Sequence, residues 1–121
     1  MSTMQNLNQI RARHALAFAP RGGVRGQNQG EVVKKIPPAI MNNGLLAALA
    51  YSMDAKQAGW KEVFNGIAKH LASSEVAIVP PDANTAELLL DFLSTESTSS
   101  AKLRDATDEA MLWLEFARRF V

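Results

Sequence analysis

Few side chains in this sequence have the type and spacing that chemistry requires. The two histidines, His14 and His70, fall in separate predicted helices, and neither has a carboxylate at ligand spacing beside it. A protein metal site needs three or four ligands. The pattern therefore predicts that both histidines are ordinary helix-face residues rather than metal ligands or general bases.

The densest acidic group consists of Asp105, Asp108 and Glu109. Paired carboxylates can act as acid and base when burial separates their pKa values. These three lie in the first half of the last predicted helix and largely away from its apolar stripe. We therefore expect solvated charges, and the i, i+4 spacing of Arg104 and Asp108 suits a surface ion pair.

Phosphate-loop and thiol chemistry are not indicated either. Arg21-Gly22-Gly23 has neither the lysine-containing end of a P-loop nor the glycine spacing of a dinucleotide-binding loop. Cysteine is absent, which excludes disulfides, thiolate metal ligands and cysteine nucleophiles. We therefore predict a binding or assembly protein that is not an enzyme and has no cofactor and no metal.

Charge is distributed unevenly along the chain. Residues 1–35 carry six Lys or Arg side chains and one acidic residue, whereas residues 36–121 carry seven and eleven, for a net charge of +1. A basic segment on an acidic body fits binding to a polyanion or to an acidic partner protein. It fits a solvated surface equally well.

Hydrophobic periodicity predicts five helices and no sheet. The helices span residues 4–19, 34–53, 60–72 and 85–93, and the last runs from Ser99 or Ser100 to the C-terminus. The third helix is predicted to bury one apolar face, made of Trp60, Val63, Phe64, Ile67 and Leu71. The last helix is predicted to bury a stripe made of Leu103, Ala106, Ala110, Trp113, Leu114, Ala117 and Phe120. Trp113 lies in the middle of that stripe, so we expect it to be buried. The connections are a flexible, basic, glycine-rich loop at residues 20–30, a loop at 73–83 and a polar linker at 94–100.

The helix at residues 34–53 is the element around which we expect the chain to be organised. Pro37 and Pro38 are predicted in its first turn, where their missing N–H groups are tolerated. Its apolar face keeps its phase through Asn43-Gly44, so we expect the helix to continue or only to kink there. Glycine inside a helix is unfavourable by about 1 kcal/mol relative to alanine. Gly44 is therefore expected to mark a close crossing with a neighbouring helix.

The overall fold that we predict is all-α. Asn84 and Glu87 have the spacing of a capping box and predict that the fourth helix starts at Thr85. At 121 residues the chain is long enough for one domain with its own core. We expect a single compact bundle of about five helices, forming one helical domain over residues 1–121.

The chain has no sign of membrane insertion. No apolar run approaches the roughly 18 residues that span a bilayer, and the N-terminus lacks the apolar block of a signal peptide. We expect a soluble, cytoplasmic protein with no membrane partner.

Three motifs in sequence order resemble those of the small subunit of type III-B (Cmr) CRISPR RNA-guided effector complexes. The N-terminal motif is Arg11-x-x-His14-Ala15. The central motif combines Lys35-Ile36-Pro37, Ile40, Asn43-Gly44-Leu45 and Ala48-Leu49. The C-terminal motif combines Arg104, Thr107, Glu109-Ala110, Trp113-Leu114 and Ala117-Arg118-Arg119-Phe120.

The resemblance implies a compact helical protein without catalytic activity that stacks in several copies along the effector. The implied partners are the backbone and large subunits of the Cmr complex, further copies of the chain in a stacked filament, and guide and target RNA. The implied function is to help hold the crRNA and its target RNA in antiviral defence.

The RNA-facing surface that we predict is made of exposed cations: Arg11, Arg13, Lys34 and Lys35, joined by Arg118 and Arg119. Arg11 and Arg13 lie about 200° apart on a helix, so only one can be central, and Arg11 matches the family-like motif. Lys34 and Lys35 are expected at the start of the central helix, where the helix dipole adds attraction for phosphate. The alternative is that these groups are solvated or pair with acidic residues of neighbouring subunits.

Two other function classes stay open. A helical protein–protein adaptor would use the basic segment to contact an acidic partner. A helix-turn-helix DNA-binding regulator is disfavoured, because the third predicted helix offers only Lys61, Asn65 and Lys69 as side chains that could read bases. Binding to single-stranded RNA separates these classes, since only phosphate contacts give a steep dependence on salt.

Overall fold

Six α-helices and no strand make up the part of the chain that the computed structural model describes, which is residues 3–18, 29–54, 58–95 and 100–120. In chain order they are α1 (Thr3–Phe18), α2 (Gln29–Asn43), α3 (Leu45–Ser52), α4 (Ala58–Ala72), α5 (Ala86–Ser94) and α6 (Ser100–Phe120). The all-helical class is confirmed. The count of about five was too low, because the predicted central helix is two helices. Most of the predicted loop at 20–30 and of the linker at 94–100 lies outside the described residues.

Helix α2 begins earlier than its prolines suggest. Pro37 and Pro38 lie in its interior, so their expected place in a first turn was wrong. Val33 is fully buried and continues the face of Ile36 and Ile40 by one turn toward the N-terminus. Burial of that extra turn stabilises a helix that the two missing N–H groups alone would disfavour.

Gly44 separates α2 from α3 in a single residue. Its φ of 90° and ψ of 160° are outside the helical region, yet its N–H donates to Ile40 O at 2.8 Å and its carbonyl accepts from Ala48 N at 3.2 Å. A Cβ on Gly44 would meet no atom within 4 Å. The expected close helix crossing at Gly44 was therefore wrong, and the residue is glycine because of its backbone conformation.

Helix α4 is the element that contacts each of the other five helices. Its predicted apolar face is confirmed, since Val63, Phe64, Ile67 and Leu71 are all fully buried and Trp60 is half-buried. The close approach occurs at Gly66, where an added Cβ would lie 2.8 Å from Phe18 Cδ1 and 3.0 Å from Trp113 Cη2. The absent side chain of Gly66 thus allows α1 and α6 to pack on α4.

Helix α5 starts one residue later than the capping-box spacing predicted. The cap is Thr85 rather than Asn84, and its Oγ1 accepts a hydrogen bond from Leu88 N at 3.2 Å. Asn65 of α4 supplies a second acceptor, with its Oδ1 2.7 Å from Ala86 N. The segment between α4 and α5 is a loop without regular structure, as predicted.

Helix α6 buries the stripe that its periodicity predicted. Trp113 is fully enclosed, Ala106, Ala110, Leu114 and Ala117 are buried, and Leu103 is half-buried. The side chain of Phe120, the last predicted member of the stripe, lies outside the described part of the structure. The buried side chains join those of the other helices in one core cluster. None of the described helices has the length and apolar character that a bilayer-spanning segment needs.

Replacement of Gly44 by alanine should lower the free energy of unfolding by about 1 to 3 kcal/mol, because the φ and ψ values at this position strain any residue that carries a Cβ. Urea denaturation measures the loss. Asn43→Ala is the matched control, since Asn43 is the adjacent exposed residue and surface substitutions usually change stability by less than about 0.5 kcal/mol. Equal stability of Gly44→Ala and the wild type would contradict the backbone explanation.

Replacement of Gly66 by alanine should destabilise the fold by about 1 to 3 kcal/mol through overpacking. The expected loss comes from a collision between the added methyl group and the Phe18 ring rather than from backbone strain. A smaller side chain at position 18 should therefore reduce the loss. We expect Phe18→Leu to cost less in the Gly66→Ala background than in the wild type, as a double-mutant cycle of thermal or urea unfolding would measure. Strictly additive losses would argue against the contact.

Candidate functional site

A buried ion pair joins the first and last helices. Arg11 of α1 donates from Nε to Glu109 Oε2 at 2.6 Å and from Nη2 to Glu109 Oε1 at 2.7 Å. Arg11 is 8% exposed and Glu109 of α6 is 4% exposed. Asn8 accepts a further hydrogen bond from Arg11 Nη1 at 2.5 Å. This two-pronged geometry is the strong form of an arginine–carboxylate contact.

Two histidines extend the ion pair toward the surface. His70 of α4 lies with Nε2 2.7 Å from Glu109 Oε2 and Nδ1 2.8 Å from His14 Nδ1 of α1. His14 Nε2 is 3.3 Å from Oε1 of Glu75, in the loop after α4. Glu75 also pairs with the exposed Arg13. The result is an unbroken chain of polar contacts, which we call the Arg11–Glu75 network, running through Glu109, His70 and His14.

Helix geometry explains how the residues of the network meet. Arg11 and His14 are three apart on α1 and so share one face. Glu109 is three residues after Ala106 and four before Trp113, both fully buried, which places it on the apolar stripe of α6. The packing of α1 and α6 on α4 then brings the three helices together at His70.

Protein contacts control the charge of Glu109. Burial raises the pKa of this carboxyl, but hydrogen bonds from Arg11 and His70 outweigh burial and lower it to about 2. Burial and the charge of His70 lower the pKa of His14. The hydrogen bond from Arg13 lowers the pKa of the exposed Glu75. Glu109 is therefore a carboxylate throughout the neutral range.

The network corrects two expectations. Glu109 was expected to be a solvated charge, and it is buried. Arg11 was expected at the centre of an exposed RNA-facing patch, but its side chain is inside and occupied by Glu109. The spacing of Glu109 to Ala106 and Trp113 was the signal in the sequence that could have shown its burial. Nothing local indicated that His14 and His70 would meet, because they are distant in sequence.

Two of the predicted cations come together in a groove between α2 and α6. Lys34 and Arg118 both line it, with Pro37, Pro38, Met41, Asn42, Leu114 and Glu115. Lys34 and Arg118 are exposed. Glu115 lies 3.7 Å from Arg118, measured from Oε2 to Nη2, which is a weak surface pair. We call this surface the α2–α6 groove.

Apart from the buried Arg11, the other predicted cations are exposed but do not line the groove. Lys35 follows Lys34 on α2, beyond the first turn of that helix, so the expected help from the helix dipole does not apply to either lysine. Arg119 lies over the Phe116 ring, with Cζ 5.6 Å from its centroid. Arg13 pairs with Glu75 in the loop after α4.

The described residues do not contain three or more His, Cys, Asp or Glu side chains arranged to hold a metal ion. A cavity of about 420 Å³ does open beside the network, between α1 and α4, with His14, Phe18, Lys69 and His70 in its lining. Its floor is formed in part by Gly66. The network therefore borders a solvent-accessible space at its His14 end.

Substitution of Glu109 by glutamine should lower stability by about 3 to 5 kcal/mol at pH 7, because it leaves the buried Arg11 charge unpaired. The folded-state pKa of Glu109 is depressed to about 2, so its stabilising effect of about 3 kcal/mol is complete above pH 4.5 and is lost as the pH falls toward 2. Urea unfolding should therefore show a smaller gap between wild type and variant at pH 3 than at pH 7.

Asp108→Asn is the control for this measurement, since Asp108 is the neighbouring exposed carboxylate on α6. Its effect should be small and similar at both pH values. A gap between wild type and Glu109→Gln that is equally wide at pH 3 and pH 7 would contradict the assignment.

A family model described as CRISPR-associated protein (Cas_Cmr5) matches residues 7–121. No curated protein and no solved structure matches the chain. The family match extends from α1 through α6 and confirms the resemblance of the three motifs. It also implies association with other subunits of the Cmr effector complex. The chain belongs to the Cmr5 family, the small subunits of type III-B CRISPR effector complexes.

Proposed function

We propose that this chain is a non-catalytic subunit that stacks in several copies along the effector backbone and helps to hold guide and target RNA in the cytoplasm. The observation that supports RNA contact best is the α2–α6 groove. There two cations from distant parts of the sequence, Lys34 and Arg118, line one exposed surface. Arg11 is not part of this proposal, because its guanidinium is buried against Glu109.

The groove suits the RNA backbone rather than particular bases. A lysine ammonium acts as a point charge and an arginine guanidinium can grip a phosphate with two hydrogen bonds. Contacts of this kind neutralise phosphates without reading sequence. Lys35 and Arg119 are the neighbours in sequence that could extend the contact along a strand.

Glu115 opposes binding in the same groove. Its carboxylate pairs with Arg118 across 3.7 Å when the groove is free. A phosphate would have to compete with this carboxylate for Arg118 and would be repelled by it. Removal of the Glu115 charge should therefore strengthen RNA binding, whereas removal of Lys34 or Arg118 should weaken it.

The double variant Lys34→Ala with Arg118→Ala should weaken binding to single-stranded RNA without sequence preference. The slope of log affinity against log salt should fall by about 1 for each phosphate that the variant no longer neutralises. Glu115→Gln should raise the affinity. Fluorescence anisotropy over a salt series measures the RNA affinity and the salt slope of the double variant and the RNA affinity of Glu115→Gln. The measurement is made on the isolated chain and on the assembled complex.

Lys61→Ala is the matched control, because Lys61 is an exposed lysine on α4 that does not line the groove. It should leave affinity and slope unchanged. If the groove variants keep the wild-type slope, the RNA assignment fails. If they also fail to enter the complex with the backbone subunit, the groove is a protein contact and the adaptor class is favoured.

Stacking finds support in an uncharged stretch of α2 and α3, whose first residues, Met41 among them, also line the α2–α6 groove. Residues 37–53 contain no charged side chain, and within them Met41 is 75% exposed and Tyr51 49% exposed. Tyr51 also packs edge-on against Trp60, with ring centroids 4.9 Å apart. Uncharged surfaces with exposed Met and aromatic residues are typical of the centres of protein interfaces. A contact between copies that uses two different surfaces propagates into a filament.

A further inference from the structure

The contact between His14 and His70 joins the Nδ1 atoms of two imidazole rings at 2.8 Å. We propose that this pair binds one shared proton and that the proton links α1 to α4. The inference does not depend on the proposed role in RNA binding. It rests on the three contacts that the two imidazole rings make and on what their partners can donate or accept.

Counting hydrogens gives the first step. Both Nε2 atoms face carboxylates: His14 Nε2 lies 3.3 Å from Glu75 Oε1, and His70 Nε2 lies 2.7 Å from Glu109 Oε2. An ionised carboxylate only accepts, so both Nε2 atoms must carry hydrogen. The Nδ1 atoms lie 2.8 Å apart, so one of them must also carry hydrogen. The contacts need three N–H groups, and two neutral imidazoles supply two.

Distance identifies the shared cation as a proton. Two histidine nitrogens bound to one tetrahedral zinc ion at about 2.0 to 2.1 Å would lie roughly 3.4 Å apart. The observed 2.8 Å between the Nδ1 atoms is a hydrogen-bond length. The described residues also provide no group of three or more ligands around a metal.

The pair accepts one extra proton and resists a second. Two extra protons would put N–H groups on both Nδ1 atoms, and these would point at each other. The charged groups facing the pair come from every element around it, namely Arg11 and Arg13 on α1, Glu62 and Lys69 on α4, Glu75 in the loop and Glu109 on α6.

Either change in protonation breaks a contact. Loss of the shared proton at higher pH leaves two N–H groups for three contacts. Gain of a second proton at lower pH converts the Nδ1–Nδ1 hydrogen bond into a repulsion. Docking of α1 on α4 is therefore tightest while the pair holds one shared proton.

Nitrogen NMR of the full-length wild-type protein tests the proton count without a substitution. At the pH of tightest docking, three of the four ring nitrogens should show bound hydrogen, and the bare nitrogen should be an Nδ1. The pair should titrate in two separate steps. A bare Nε2 on either ring, or two independent titrations at the ordinary histidine pKa, would overturn the proposal.

Hydrogen exchange of the α1 amides, corrected for intrinsic rates, tests the effect on docking. The opening equilibrium of α1 should rise by up to tenfold per pH unit on both sides of a minimum, because undocked α1 releases the shared proton at high pH and permits a second at low pH. His14→Leu should abolish the minimum. Leu16→Ala, an exposed residue of the same helix, should keep it.

Addition of zinc tests whether the two rings share a proton or bind a metal ion. A proton-bridged pair should show the same imidazole signals with and without one equivalent of Zn²⁺. Zinc-bound imidazole signals from both rings at one equivalent of Zn²⁺ would overturn the assignment to a proton. Retention of the minimum in His14→Leu would equally overturn it, since the pH dependence would then come from another group.

Discussion

The ion pair between Arg11 and Glu109 is the constraint on which the arrangement of α1 depends. Two ions removed from water must satisfy each other, and separating them inside a protein leaves a charge without compensation. Arg11 meets both carboxylate oxygens of Glu109, and His70 donates to one of them. Any slide of α1 along α6 by one turn would break these contacts. The pair therefore fixes the register of α1 on α6 in addition to its effect on stability.

The packing of the other helices depends on α4 and on Gly66, which lets α1 and α6 approach it closely. A helix that contacts all five others must be apolar over most of its circumference, and α4 is. Its one buried polar ring, His70, lies where α1 and α6 meet it. Trp113 packs at the same place, tilted against His70 with ring centroids 6.3 Å apart and edge-on to Phe18 at 5.4 Å. Polar and aromatic contacts thus share one junction of three helices.

Helix positions were predictable because periodicity reports burial locally. The face of α4 and the stripe of α6 with Trp113 were identified from spacing alone. The misses came from tertiary contacts that override local signals. Val33 extended α2 past its prolines, and the conformation of Gly44 ended it. Glu109 was misjudged because a carboxylate on an apolar stripe needs a partner, and its partner Arg11 is at the other end of the chain.

Counting the cations in the sequence could not show which of them are accessible to RNA. A list of cations in the sequence treats each as available, yet one of the six predicted for RNA lies in the core. The structure separates an internal cation, which holds helices together, from surface cations such as Lys34 and Arg118, which line a groove. Only the arrangement in space could make this distinction, because residues on α2 and α6 are far apart in sequence.

The contact between α1 and α6 has a consequence for how the protein is made. Ribosomes release the N-terminus first, so α1 emerges before the residues that pair with it. Arg11 remains in water until α6 has been synthesised, since closing a loop of nearly the whole chain must precede its burial. During that interval Arg11 has no carboxylate partner from α6, and the face of α1 that packs on α6 is uncovered even where α1 already contacts α4. Synthesis of α6 is therefore the event that withdraws this surface from other ligands.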